Sequence, residues 1–208
     1  IYISKNLNFI SKKMSVKRGN LILMHQTHSN RVIEIKKNNL KKKINADAIV
    51  TKIRGLALTV VTADCVPIII YNPNNNMIGC IHAGWRGSIT GIIKNTIDKI
   101  KNANSKNEII ATIGPCIGKK SYEVDNVFYK KFLNKSKNFD KYFYYKNKNK
   151  KLFDLRKFVN DKLTNLGVKV DHINRDTFKE KSNFFSYRRS CKLKHLDYGR
   201  CASSICLV

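Results

Sequence analysis

The thiol of Cys65 and the imidazole of His82 are the pair in this chain whose types and surroundings could do chemistry. They stand 17 residues apart. Val60 and Val61 lead into Cys65, and Ile78 and Ile81 lead into His82, so each apolar run reads as a buried strand ending in a reactive side chain. Together the two groups could be a nucleophile and its base, with a thiolate attacking a carbonyl, or two ligands of a metal ion. A third ligand would decide for the metal. His25 and His28, on a polar stretch after Leu21-Ile22-Leu23-Met24, both qualify, and their spacing does not choose between them. Three protein ligands with one open position is the arrangement of a catalytic zinc ion.

The elements that must position these groups follow from the apolar pattern. Ile68-Ile69-Ile70-Tyr71, the reversal Asn72-Pro73-Asn74-Asn75-Asn76 and the run into His82 predict a hairpin that returns His82 beside Cys65. Ala46–Thr51 and Leu56–Val61 predict strands, the first with the Asp47 carboxylate at its start. Asp64 could orient a ligand or cap backbone amides. Gly84 and Gly87 flank Trp85-Arg86 where a helix capped by Ser88 is expected, and Ile89, Ile92, Ile93, Ile97 and Ile100 give that helix one apolar face. Its first turn, with Arg86, offers backbone amides and a guanidinium to an anion such as phosphate. Ile109–Ile113 predicts a strand running into Gly114-Pro115-Cys116-Ile117-Gly118. Asp154 predicts the cap of a second helix that stops at Gly167. Residues 1–20 predict little beyond an edge strand and a connecting segment. Residues 134–151 predict an exposed loop or irregular hairpin. Phe184–Arg189 predicts a strand of alternating aromatic and polar residues in which Arg188 and Arg189 adjoin.

Length and composition bound the function classes. At 208 residues the chain suits a single α/β domain with a substantial core and no linker. Six scattered cysteines without a CxxC pair predict free thiols in a reducing cytoplasm rather than a disulfide framework. No run of 18 apolar residues predicts a membrane span, and no signal-peptide series opens the chain. It starts at Ile1 without a methionine, so an amino-terminal piece is expected to be missing or removed. The net charge of +27 invites a polyanion-binding reading. Yet it comes from 32 lysines spread along the chain against 9 arginines, whereas base and phosphate recognition favour clustered arginine. No specific nucleic-acid partner is expected, only salt-sensitive adhesion to polyanions.

Six motifs in order carry a family resemblance: His25-Gln26-Thr27-His28-Ser29, Ala46-Asp47-Ala48-Ile49-Val50-Thr51, Thr62-Ala63-Asp64-Cys65-Val66-Pro67, His82-Ala83-Gly84-Trp85-Arg86-Gly87, Ile113–Gly118 with Tyr122-Glu123-Val124, and Phe184–Arg189 with Tyr198-Gly199-Arg200. The chain resembles the laccase-domain family, formerly labelled polyphenol oxidases and now described as zinc-dependent purine nucleoside phosphorylases. The resemblance implies a three-layer α/β sandwich, a mixed sheet flanked by helices, as one domain over residues 1–208 lacking part of the family's amino-terminal segment. It implies that the metal falls on His28, Cys65 and His82, with zinc favoured over copper. Cys65 and His82 are then the catalytic pair, and Arg86, Arg188 and Arg189 the candidates for holding phosphate. The implied reaction is phosphorolysis of adenosine, inosine and methylthioadenosine, with adenosine deamination as a possible second activity; a monomer acting on small-molecule nucleosides and phosphate is expected. A metal-free Cys-His hydrolase, a copper-dependent phenol oxidase and a non-enzymatic polyanion binder are the alternatives. Where the family is acidic after the paired arginines, this chain has Ser190-Cys191-Lys192.

Overall fold

The computed structural model describes residues 2–40, 43–101 and 108–208. In chain order they form α1 (Tyr2–Lys13), β1 (Leu21–Leu23), β2 (Val32–Glu34), β3 (Ala48–Thr51), β4 (Ala57–Thr62), β5 (Val66–Asn72), β6 (Met77–Ala83), α2 (Trp85–Thr90) and α3 (Ile92–Ile100). There follow β7 (Ile110–Ile113), β8 (Glu123–Asp125), α4 (Asn126–Leu133), β9 (Phe143–Asn147), β10 (Lys150–Phe153), α5 (Leu155–Thr164), β11 (Lys169–His172), α6 (Tyr187–Lys192) and β12 (Cys201–Cys206).

The fold class is mixed α/β, as expected, with a six-stranded mixed sheet in the order β11-β7-β5-β6-β3-β2 at its centre. Alternation along the strands sends each residue type to its layer. Val66, Ile68, Ile70, Ala48 and Val50 pack against the isoleucines of α3 and against Phe158, Val159 and Leu163 of α5. Ile49, Ile78 and Cys80, on the opposite face, pack against Ile22, Leu58 and Val60. The layer on that second face is therefore a small sheet, β1-β4-β12, while α3 and α5 lie on the first. A third sheet, β8-β10-β9, is built on an aromatic cluster. In it Phe132 is fully buried, with ring centroids 4.8 Å from Phe153 and 5.1 Å from Phe128. Phe132→Ala is expected to cost about 3–5 kcal/mol, read from the urea midpoint, because a cavity among rings cannot collapse.

Three expectations needed correction. Residues 2–13 form α1 rather than an edge strand, Ile1 lying outside the described residues. Leu7, Ile10 and Ser11 are its covered positions, with Met14 just beyond its end, at helical spacing, a period hidden by the polar residues between them. Ser88 does not cap the helix after His82. Gly84 does, one turn earlier, with Ser88 N–H donating to its carbonyl, and the helix breaks at Gly91, whose φ is +103°. Phe184–Arg189 is no strand: Ser186 caps α6 by accepting from Arg189 N–H. The hairpin expected within 134–151 is present as β9 and β10.

Glu123 on β8 accepts hydrogen bonds from Lys146 and Lys150, which hold its carboxyl down at about 2, below the ordinary 4.5. A carboxyl depressed by folding stabilises fully above its unfolded pKa, and that contribution is lost as pH falls from 4.5 towards 2. Thermal melts should therefore show Glu123→Gln lowering Tm at neutral pH, with the difference from wild type closing across this acid window. Among the described residues no helix is long and apolar enough to cross a membrane.

Candidate metal centre between two cavities

The topology brings the chemistry to one rim. β1 and β4 are parallel neighbours in the small sheet, so the segments leaving their carboxyl ends, 24–31 and 63–65, depart from the same edge towards the large sheet. The first carries His28 and the second Cys65. β5 and β6 form the predicted hairpin, with Pro67 opposite His82. Cys65 immediately precedes β5, at the end of the hairpin where His82 lies. β12 runs antiparallel to β4, with Cys201 opposite Thr62, so Tyr198 and Arg200 arrive at that rim as well.

There the ligand atoms of His28, Cys65 and His82 lie within 4.8 Å of one another, the group of this kind found among the described residues. Cys65 Sγ is 3.8 Å from His28 Nε2, and the two imidazole rings meet edge-on at 4.7 Å. Ligands of a tetrahedral zinc ion stand about 3.5 Å apart, so the set needs only a small closure to hold one. His25 is not in it. It lies on a different wall of the same region, its N–H bonded to the Ile44 carbonyl.

Asp47 organises the set. β3 pairs with β6 so that Asp47 comes opposite His82, and the His82 amide donates to the Asp47 carbonyl. The Asp47 carboxylate, fully buried, accepts from His82 Nδ1 at 2.8 Å, which leaves Nε2 as the free ring nitrogen. It also accepts from the backbone N–H groups of Thr27, His28 and Ser29 and from the hydroxyls of Thr27 and Ser29. These bonds pin His28 in a left-handed conformation, φ +59°. Burial opposes ionisation of Asp47, yet the hydrogen bonds from His82 and Ser29 outweigh it and hold the carboxyl well below its ordinary value. Gln26 ties the same loop to β4 through a two-way bond with the Val61 backbone.

Asp64 precedes Cys65 in the segment that leaves β4. Its φ is +81°, and its carboxylate accepts from the hydroxyls of Thr177 and Ser186 and from the Arg188 amide. It therefore caps α6 and anchors that segment to the rim, the second of its two expected roles. Gly84 completes the set by lacking a side chain: a Cβ there would stand 2.9 Å from His28 Cδ2 and 3.0 Å from Cys65 Sγ.

The thiols differ in use. Burial, with Asp64 and Cys116 nearby, pushes Cys65 up to about 12, which favours the protonated thiol where no cation is bound. A divalent cation reverses that preference, since a coordinating thiol is deprotonated outright. Burial, with His82 and Arg86 close by, lowers His28, which favours the neutral imidazole a metal takes. Cys116 is fully buried and pushed up to about 12, a packed thiol.

Two cavities open onto the donors and share His28, Ala63, Cys65, Trp85 and Tyr187. One, about 470 Å³, is walled by Tyr122, Phe128 and Leu155, with Glu123, Asp125 and Arg188. The other, about 600 Å³, is walled by His25, Gln26, Arg86, Tyr198 and Arg200. Of the expected arginines, Arg86 and Arg188 therefore face the site. Arg189 does not line either cavity: its guanidinium donates to the carbonyls of Thr177, Phe178 and Phe184, which locks the loop behind α6. Asp47, Gln26 and Arg200 are the site residues that residue patterns alone did not single out.

An α/β protein with an open three-donor centre between two cavities is what the fold and site define. The chain belongs to the family described as multi-copper polyphenol oxidoreductase laccase, which it matches over residues 2–208. It is 40% identical over 176 residues to a purine nucleoside phosphorylase of Rickettsia prowazekii, covering 84% of this chain and 72% of that protein. It is 30% identical over 203 residues to the purine nucleoside phosphorylase YfiH of Escherichia coli, covering 95% and 80%. Among solved structures it superposes on the hypothetical protein YfiH of Bacillus licheniformis with a TM-score of 0.86 at 26% identity, covering 98% of this chain and 80% of the other. The Neisseria meningitidis protein NMB0706 gives 0.85 at 28% identity, covering 99% and 81%.

Proposed function

We propose that this protein is a zinc-dependent purine nucleoside phosphorylase that acts on adenosine, inosine and methylthioadenosine. The observation that carries the reading is the convergence of His28, Cys65 and His82 at the junction of two cavities, in a chain whose relatives are named purine nucleoside phosphorylases. Two imidazoles and a thiol that needs a cation to ionise fit zinc, and the same donors also suit copper, so metal analysis of the purified protein decides between them. A bound zinc ion supplies a Lewis acid with a position left open by its three protein ligands.

The chain's own residues account for the rest. Asp47 fixes the tautomer and aim of His82, and Gly84 lets His28 and Cys65 approach each other. Tyr122 and Phe128 offer aromatic faces to a purine. Arginine at the cavity walls places phosphate against the ribose. In phosphorolysis a phosphate oxygen bonds to the anomeric carbon as the carbon–nitrogen bond breaks, and the electron pair leaves with the purine. On balance the proton the purine gains is the one the attacking hydrogen phosphate loses. Positive charge builds on the ribose in between, and a held phosphate anion stabilises it.

Incubating zinc-loaded protein with adenosine, with and without phosphate, tests the reading. Free adenine formed only with phosphate is expected; inosine instead would mean deamination, and no turnover of any purine nucleoside would end the proposal. Cys65→Ser, His28→Ala and His82→Ala should each lose stoichiometric zinc and at least a hundredfold in rate. Activity that survives His28→Ala in metal-free protein would favour a Cys-His hydrolase.

A further inference from the structure

We infer that the two cavities divide the substrates, and that Arg200 with Arg86 forms the phosphate subsite, separate from the aromatic chamber that takes the nucleoside. The inference rests on the phosphorolysis reading and deepens it. Arg86 lies over the Trp85 ring at 5.2 Å and Arg200 over the Tyr198 ring at 4.6 Å. Tyr198 in turn packs on Tyr187 at 5.1 Å. Among the described residues neither guanidinium has a hydrogen-bond acceptor or a carboxylate partner, and no carboxylate lines their cavity. Each arginine is thus braced on an aromatic face with its donors unspent, which is the preorganised state for an incoming oxyanion.

The other cavity has the opposite character. Its charged groups are already paired: Glu123 holds Lys150 and Lys146, Asp64 accepts from Thr177, Ser186 and the Arg188 amide, and Asp125 accepts from the Phe128 amide, so no unpartnered cation waits there for phosphate. Its arginine, Arg188, already donates to the Glu123 carbonyl and lies over Tyr122 at 5.3 Å. A neutral nucleoside with a planar base suits those walls, and its volume of about 470 Å³ is within the range of small-molecule sites. The ordering of β12 against β4 sets the division, because it is what delivers Arg200 to the donor rim opposite Tyr122 and Phe128. Trp85 lines both cavities, its ring 4.9 Å from Phe128 and 5.2 Å from the Arg86 guanidinium, and both cavities reach the shared residues His28, Ala63 and Cys65, where a phosphate held in one can meet the ribose of a nucleoside held in the other.

Steady-state phosphorolysis of adenosine by wild type, Arg86→Gln, Arg200→Gln and Arg188→Gln tests the division, alongside calorimetric titration of each protein with inorganic phosphate. Arg86 and Arg200 are exposed, so the fold should survive both changes. The expected result is a KM for phosphate raised at least tenfold by Arg86→Gln and by Arg200→Gln, with the KM for adenosine within twofold of wild type. Arg200→Lys should recover part of the loss, and Arg188→Gln should move the adenosine KM instead. An unchanged phosphate KM in Arg200→Gln, or equal rises in both KM values, overturns the inference. Calorimetry needs no turnover: phosphate bound by wild type but not by Arg200→Gln supports the subsite even if no nucleoside is cleaved, which would end only the phosphorylase reading. Wild type that fails to bind phosphate, or that prefers adenosine 5′-monophosphate to it at this site, overturns the subsite.

Discussion

Asp47→Asn is expected to weaken zinc binding by about 10–100-fold and to destabilise the protein by about 3 kcal/mol or more. The carboxylate takes six donors on two oxygens, from His82 Nδ1, three successive backbone amides and two hydroxyls. An amide keeps one acceptor and turns its own NH2 towards groups that are themselves donors. Several buried N–H groups lose their partners, each worth about 1–3 kcal/mol, and His28 is freed from its left-handed backbone conformation. His82 meanwhile loses the charge that favours its Nδ1–H tautomer. Zinc competition with a chromogenic chelator measures the first effect and urea unfolding the second. Wild-type affinity in a protein destabilised as expected would mean that Asp47 holds the loop without aiming the ligand.

Gly84→Ala should separate the metal site from the fold more cleanly. Gly84 has φ −72°, which alanine adopts without strain, so the backbone raises no objection. The added Cβ would stand 2.9 Å from His28 Cδ2, closer than real Cβ atoms come, and 3.0 Å from Cys65 Sγ, tight enough to push it by a few tenths of an ångström, so the two ligands shift apart. A loss of zinc affinity of about tenfold or more, with a small change in unfolding free energy, is the expected pattern, since metal sites require ligand distances within about 0.2 Å. Gly91→Ala is the control: φ +103° strains any alanine there, and no ligand is nearby. It should destabilise by about 1 kcal/mol and leave zinc binding alone. If both variants bind zinc as wild type does, the three donors do not act as one set.

The sequence by itself determined many of the strands and the β5–β6 hairpin, whose reversal brings Cys65 and His82 to one rim. Those are local properties, written in the period of apolar residues and in one asparagine-rich reversal. It also determined, through motifs rather than spacing, which family the chain resembles. Only the tertiary structure decided that Asp47 is the centre of the site, because its place opposite His82 depends on the register of β3 against β6, strands that are more than 25 residues apart. The same is true of Asp64, whose partners Thr177 and Ser186 lie 113 and 122 residues away, and of Arg200, which reaches the donors only because β12 adds antiparallel to β4. A periodic pattern tells a residue which face to take. Which distant residue it meets there is set by the packing of whole sheets, whose energy is spread over many contacts and leaves no mark at any one position.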